Sequence, residues 1–265
     1  MQRKPVTIGA MEALFTLISP NELAIAFGVA LLAGLVKGVV GFAMPTVLLA
    51  GLGMFLAPDL ALAGLILPTV VSNGIQALRQ GFGAALGSVR RFGVFLGVGL
   101  VFLVGSAQLV PVLSDSALLL IIGVPVAGFA ALQLIGFEWS LAAPSRRIEL
   151  ALGAFTGFIG GMSGIWGPPT VMYLNALGTA KAEHLRVQGV IYGIGAVALL
   201  VAHLGSGVIR AETAPFSAAL LVPALAGMWL GGRVQARIDQ QGFRKATQIV
   251  LILAGLGLMW RGLFG

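Results

Sequence analysis

Lys37 is the residue whose type and position point most directly to chemistry. It lies in a long apolar stretch, and a lysine at the centre of a membrane-spanning helix costs about 3 kcal/mol to insert. It lies with Gly34, Gly38 and Gly41 in a set with helical spacings of three and four residues, so the ammonium should emerge on a close-packed glycine face. No acidic residue interrupts the middle of an apolar stretch. We therefore expect Lys37 to contact an anionic substrate. The alternative is a structural lysine that snorkels or pairs with a carboxylate.

A stripe of hydroxyl and amide side chains is the second candidate for contact with an anion. Thr69, Ser72, Asn73 and Gln76 follow the i, i+3, i+4, i+7 spacing of one helix face. Because such a stripe is costly in lipid, it should face the interior of a helix bundle, where these groups can donate to oxyanions. Hydrogen bonding between helices explains any single one of them equally well.

A duplicated motif marks the elements that must position these side chains. GLVKGVVGFAMP recurs 123 residues later as GFIGGMSGIWGP, which aligns Gly34, Gly38, Gly41 and Pro45 with Gly157, Gly161, Gly164 and Pro168. Each copy ends an apolar run with residues that weaken or stop a helix, and each proline stands where a short helix would begin. The N-terminal ends of two such helices would each carry about half a positive charge. Glycine packing alone would not explain the prolines.

The same offset extends the candidate site into the second half of the chain. Tyr192 corresponds to Thr69, Gln188 lies one turn earlier, and Ser163 and Trp166 add a donor and an aromatic wall. The predicted substrate-binding residues are Lys37, Gly41, Phe42, Pro45, Thr69, Asn73, Gln76, Ser163, Gly164, Trp166, Pro168, Gln188 and Tyr192. Arg79 and Arg186 either attract anions to a vestibule or only fix the membrane topology.

Composition places the chain among polytopic membrane proteins. Hydrophobic residues make up 58% of the sequence and charged residues 9%, with a mean hydropathy of +1.02, whereas soluble domains carry about 25% charged residues. We predict an all-α polytopic membrane protein with a single transmembrane domain over 1–265. Eight helices are expected to span the bilayer, at 22–42, 59–78, 92–113, 116–137, 149–166, 187–204, 214–233 and 246–263. Stretches 45–57 and 168–178 are too short to cross a hydrocarbon core of about 30 Å and should be half-helices.

These elements form two predicted repeats, 22–137 and 149–263, each with five elements. Because five is odd, the second copy should enter the membrane from the opposite side. Corresponding loops differ in basicity as an inverted repeat requires under the positive-inside rule. The basic loops hold eleven of the sixteen basic residues: Arg79, Arg90, Arg91, Arg146, Arg147, Lys181, Arg186, Arg233, Arg237, Arg244 and Lys245. Both termini are then extracytoplasmic, although Arg3 and Lys4 argue against that; a same-sense repeat is the alternative.

Several motifs resemble those of the TauE/SafE family of sulfite and organosulfonate exporters. They are GLVKGVVGFAMP, LPTVVSNGIQALRQG and GFIGGMSGIWGPPTVMYL, within a resemblance that covers about residues 23 to 263. The resemblance implies secondary transport of a small sulfur-containing anion across a bacterial-type cell inner membrane, by alternating access around two broken helices. Where many members carry a further glycine, this chain has Phe42 and Ala43 in one copy and Ile165 and Trp166 in the other. An anion channel and a carrier for small carboxylates are the rival functions.

Other functional classes lack the residues they need. The sequence has no cysteine and two distant histidines, so we expect no metal site and no cofactor. Ser163 has no nearby histidine and the apolar stretches hold no aspartate pair, which argues against an enzyme. No basic patch with interleaved aromatic residues suggests nucleic acid. The expected partners are the small anion, the lipid bilayer and, if transport is coupled, a proton or sodium ion. His203, near the outer end of its helix, is expected to be an interfacial residue.

Overall fold

Eleven α-helices make up most of the chain that the computed structural model describes, which is residues 15, 17–137, 140–141, 145–235, 237 and 239–265. No strand occurs within these ranges. In chain order the helices are α1 Pro20–Val40, α2 Met44–Leu52, α3 Pro58–Leu78, α4 Phe82–Arg91, α5 Gly93–Ala107, α6 Asp115–Leu134, α7 Arg146–Ser163, α8 Gly167–Ala176, α9 Lys181–Gly205, α10 Ala214–Val234 and α11 Gln240–Phe264. A 3-10 turn, Val110–Val112, follows α5.

Seven helices are long and apolar enough to cross a membrane, which confirms the all-α polytopic membrane class. They are α1, α3, α5 with its 3-10 turn, α6, α9, α10 and α11. The remaining predicted span, 149–166, corresponds to α7, which has 18 residues but carries Arg146, Arg147 and Glu149 at its start. The exact number of spans therefore stays a prediction.

Four helix ends differ from the predicted bounds by five or six residues. α5 ends at Ala107 and α2 at Leu52, before the predicted ends at 113 and 57. α9 begins at Lys181 and α11 at Gln240, about six residues before the predicted starts. The predicted loop after α3 contains α4, a short amphipathic helix that ends in Arg90 and Arg91. Apolar runs reveal only the part of a helix that lies in hydrocarbon. Charged residues such as Glu183 are also good helix formers and suit the first turn, so these helices extend beyond the apolar stretch.

Glycines hold two helix pairs in close contact, α1 with α10 and α5 with α7. A Cβ atom on Gly34 would lie 2.0 Å from the carbonyl oxygen of Ala224, and one on Gly157 would lie 2.1 Å from that of Gly99. Both neighbours are backbone atoms, so a side chain would force the helices apart. α3 packs along α9, and α6 packs along α11. Each of these four pairs joins one helix from each predicted repeat.

The helix directions define two unlike ends of the bundle. The Gln76 side chain donates to the Leu185 carbonyl at 3.0 Å, and Arg91 pairs with Glu183, so the end of α3, the end of α4 and the start of α9 lie together. At this same end α6 and α10 finish and α5, α7 and α11 begin. We call it the basic end. Its basic residues include Arg79, Arg90, Arg91, Arg146, Arg147, Arg186, Arg233 and Lys245.

Corresponding helices of the two predicted repeats run in opposite directions through this bundle. Three helices of the first repeat, α1, α3 and α6, run toward the basic end, whereas their counterparts α7, α9 and α11 start there. The fourth pair is also opposed, because α5 starts at the basic end and its counterpart α10 finishes there. An inverted repeat would have this property. The repeats, their boundaries and the orientation in the membrane stay predictions.

Candidate functional site

Both long helices that carry the duplicated motif end in a left-handed glycine. Gly41 has φ +85° and donates its N–H to the Lys37 carbonyl at 2.7 Å, while Gly164 has φ +68° and donates to the Gly160 carbonyl at 2.7 Å. Only glycine adopts this conformation at little cost. After each glycine the chain enters a short helix, α2 or α8. Gly51 of α2 lies beside Val29 of α1, so α2 runs back along the helix that precedes it.

The two breaks line one small cavity. The first contributes Phe42, Ala43, Pro45 and Thr46, the second contributes Gly164, Ile165, Trp166 and Gly167, and Lys37 and Tyr192 complete the lining. The cavity volume is about 10 Å³, which holds about one water molecule. The protein is thus closed around this point, and a larger anion needs a rearrangement of the lining to enter.

Lys37 lies in the last turn of α1, at the break rather than at the centre of a span. Its side chain is 3% exposed, and its Nζ donates to the Oδ1 of Asn73. The Asn73 Nδ2 in turn donates to the Tyr192 carbonyl at 3.4 Å. Lys37 forms no ion pair with any residue that the structure describes. A charge buried without an opposite charge costs several kcal/mol, and a bound anion would offset that cost.

The start of α2 offers backbone donors to the same cavity. Within the described chain, the N–H groups of Met44 and Thr46 have no backbone acceptor, so the positive end of the helix dipole is open toward Lys37. The start of α8 offers a similar number, because the N–H groups of Gly167 and Thr170 likewise have no backbone acceptor among the described residues, although Pro168 and Pro169 carry no N–H. The two breaks therefore differ mainly in the charge of Lys37, which belongs to the first.

The structure brings about half of the predicted site residues together at the cavity. Six of them line the cavity: Lys37, Phe42, Pro45, Gly164, Trp166 and Tyr192. Asn73 reaches it through Lys37, and Gly41 shapes the break. Thr69, Gln76 and Ser163 instead donate to backbone carbonyls, those of Leu65 at 2.6 Å, Leu185 at 3.0 Å and Ile159 at 2.7 Å. Hydrogen bonding between and within helices accounts for these three in this conformation.

Two further predicted residues need separate mention. Gln188 is 1% exposed, and its Oε1 has no hydrogen-bond partner among the described residues. It lies one turn from Tyr192 on α9, and an unsatisfied buried oxygen of this kind is costly. Pro168 is the second residue of α8, and its side-chain placement lies outside what the structure describes.

The two predicted gate residues have different surroundings. Arg79 is exposed at the end of α3. Arg186 donates to Ser88 at 3.0 Å and to Gln80 at 2.9 Å, and lies 3.6 Å from Glu183. These contacts tie α4 to the start of α9. Arg186 thus has a structural role at the basic end, away from the cavity lining.

Sequence reasoning missed four lining residues, Ala43, Thr46, Ile165 and Gly167. Thr46 was the one with a readable signal, because it is a polar residue in the first turn of the predicted half-helix. It also missed Arg261, which donates to the carbonyls of Gly53 and Leu56 and so caps the C-terminal end of α2. A cation at this end stabilises the helix dipole and helps to fix the half-helix.

His203 has a structural role. His203 is fully buried, with Nε2 3.0 Å from the Gly161 carbonyl and Nδ1 3.0 Å from the Ser206 hydroxyl. It joins α9 to α7 rather than lying at a surface. No group of three metal-ligating residues occurs in the part of the chain that the structure describes.

Ala43 is a non-glycine residue in the left-handed region, with φ +73°. Because this conformation costs an alanine about 1 to 2 kcal/mol and glycine is freer in the unfolded chain, we expect Ala43→Gly to raise the free energy of unfolding by about 0.5 kcal/mol. The measurement is unfolding in mixed detergent micelles. Ala50→Gly, in the right-handed α2, should change stability in the opposite direction; equal destabilisation by both variants would contradict the strain.

Comparison with known families identifies the chain. The model of the sulfite exporter TauE/SafE family matches residues 26–258. Neither the comparison with curated proteins nor that with solved structures gives a match. The matched range extends from the first turns of α1 almost to the end of α11, so it contains both breaks and the whole cavity between them. The chain is therefore a member of the sulfite exporter TauE/SafE family.

Proposed function

We propose that the chain is a secondary transporter that moves a small sulfur-containing anion, such as sulfite or an organosulfonate, across the cell inner membrane by alternating access. The observation that carries this proposal is Lys37, a buried ammonium with an amide partner and no carboxylate, facing the open start of α2. Membership of an exporter family agrees with a transport role. The anion provides the negative charge that the site lacks.

The size of the cavity favours a carrier over a channel. A channel needs a continuous pore, whereas about 10 Å³ at Lys37 leaves no room for an anion to pass. A carrier closes around its site and moves one half of the structure against the other. The pairs α1 with α10 and α5 with α7 are held by glycine contacts and supply rigid units for such a movement.

Flux into proteoliposomes tests the proposal. We expect saturable uptake of sulfite or sulfoacetate, with sulfate, thiosulfate and small carboxylates as competitors, measured with and without gradients of protons and of sodium. Anion binding should also raise the melting temperature of the detergent-solubilised protein, because ligand that binds only the folded state stabilises it.

Each contrary result identifies a different error. Preferential transport of carboxylates would contradict a sulfur-containing substrate but would leave the carrier mechanism in place. Ohmic single-channel currents in planar bilayers would replace the carrier by a channel. Absence of both flux and anion-dependent stabilisation would remove transport altogether. Dependence of flux on one of the two gradients agrees with the proposal and would identify the coupling ion.

A further inference from the structure

A large polar vestibule opens at the basic end, between the end of α6, the second half of α8 and the start of α11. Its volume is about 710 Å³. The side chains around it are mostly amides and hydroxyls, with Lys245 as a cation; the polar ones are Gln133, Ser140, Asn175, Thr179, Gln241, Lys245 and Gln248. Such a lining is wet and attracts anions.

A narrow cavity of about 30 Å³ lies between this vestibule and the Lys37 cavity. It shares Gln133 and Gln248 with the vestibule, and Phe42, Ala43 and Thr46 with the Lys37 cavity. The three cavities therefore lie in series, from the basic end to the buried ammonium. Phe42, Ala43 and Thr46 form the wall between the last two.

Most residues that line the narrow cavity are apolar, but Gln133, Thr247 and Gln248 give it polar side chains next to the vestibule. Gln248 is 4% exposed and Thr247 is next to it on α11, and a buried amide in a membrane helix is costly unless it has a role. Their positions have no polar equivalent in α6, where Val124 and Pro125 stand 123 residues earlier. Another cavity, between α5 and α7, reaches Trp166 on the side of the second break. It is lined almost entirely by apolar residues and glycine.

We propose that the transported anion passes between the basic end and Lys37 through these three cavities, that Gln248 and Thr46 donate to it on the way, and that Phe42 is the barrier in this conformation. The proposal rests on the proposed function for its ligand. Its test does not, because the accessibility of a side chain can be measured without transport.

Cysteine accessibility provides the test, because the sequence contains no cysteine. Ala130 lines the narrow cavity and is 3% exposed, whereas Ala202 is 4% exposed and lines none of the cavities described above. We expect Ala130→Cys to react at least tenfold faster than Ala202→Cys with 2-sulfonatoethyl methanethiosulfonate, a membrane-impermeant organosulfonate. The reaction should occur only when the reagent faces the basic end of the protein in sealed vesicles.

Charge selectivity and the barrier provide two further measurements. After division by its rate with a free thiol, the reaction rate of the anionic reagent at Ala130→Cys should be higher than that of its trimethylammonium analogue. Lys245→Gln should reduce this preference for the anionic reagent. Ile165 lines only the Lys37 cavity among those described. Labelling of Ile165→Cys from the basic end should increase at least fivefold when Phe42→Ala is added, and to a smaller degree with the milder Phe42→Leu.

The possible results separate the route from the function. Equal labelling of Ala130→Cys and Ala202→Cys, or labelling of Ala130→Cys only from the other end, would overturn the route even if flux is normal. Unchanged labelling of Ile165→Cys with both Phe42 variants, in protein that elutes as a single folded species, would overturn the barrier. Selective labelling of Ala130→Cys from the basic end, without flux of any anion, would support the route but contradict the proposed transport function.

Discussion

Lys37→Met is expected to reduce anion flux and anion affinity by about 100-fold, because removal of one charge from a buried pair costs about 2 to 5 kcal/mol. Methionine has similar length and no charge. In the absence of the anion, the melting temperature should stay the same or rise, because the variant no longer buries a charge that has no opposite charge nearby. Flux in proteoliposomes and anion-dependent thermal shifts are the two measurements.

A matched control separates the site from general charge effects. Arg210 is exposed at the other end of the bundle, where it lies 3.4 Å from Glu212. Arg210→Met removes the same charge from the chain and should leave flux within twofold. If Lys37→Met also keeps its flux within twofold, Lys37 does not bind the anion.

Asn73→Asp tests the same electrostatics from the partner side. The new carboxylate would occupy the position of Oδ1 next to the Lys37 ammonium and supply the charge that the anion is proposed to provide. We expect loss of flux together with higher stability in the absence of the anion. Lower stability and retained flux would contradict the idea that the anion compensates Lys37.

The sequence revealed the breaks because their causes are local. Gly41 and Gly164 are needed for a left-handed backbone, and Pro45 is suited to the first turn of a helix, whatever surrounds them. The burial of Lys37 followed from the apolar stretch around it. These signals were sufficient to predict the membrane class, the two half-helices and six of the residues that line the cavity.

Other features depended on packing between distant helices. Asn73 contacts Lys37, whereas Thr69 of the same stripe bonds to its own helix. The difference depends on which part of α3 lies beside the end of α1. Gln248 was overlooked because one amide in an apolar helix has no periodic pattern, and its role emerges only where α11 meets the first break. α4 was missed because its apolar residues are too few to stand out from a loop.

The largest expected effect on stability is at the glycines between α1 and α10. A Cβ atom on Gly34 would lie 2.0 Å from the backbone oxygen of Ala224. Since neither backbone can yield without moving its helix, Gly34→Ala should lower the free energy of unfolding by about 3 kcal/mol, the upper part of the range for overpacking. Gly157→Ala should do the same between α7 and α5, where the Cβ would lie 2.1 Å from the Gly99 oxygen. Unfolding by dodecyl sulfate in mixed micelles measures both.

Gly28 is the control on the same helix as Gly34, because no atom lies within 4 Å of a Cβ built there. Gly28→Ala should be neutral or stabilising by about 0.5 to 1 kcal/mol, as expected for glycine replaced by alanine inside a helix. Gly97→Ala is the equivalent control on α5, with the same empty surroundings. If all four variants lose similar stability, the loss reflects backbone flexibility rather than contact. A loss at Gly34 and Gly157 alone shows that close approach between the two halves of the chain stabilises the bundle, and it identifies the two helix pairs that must move as units if the carrier rocks.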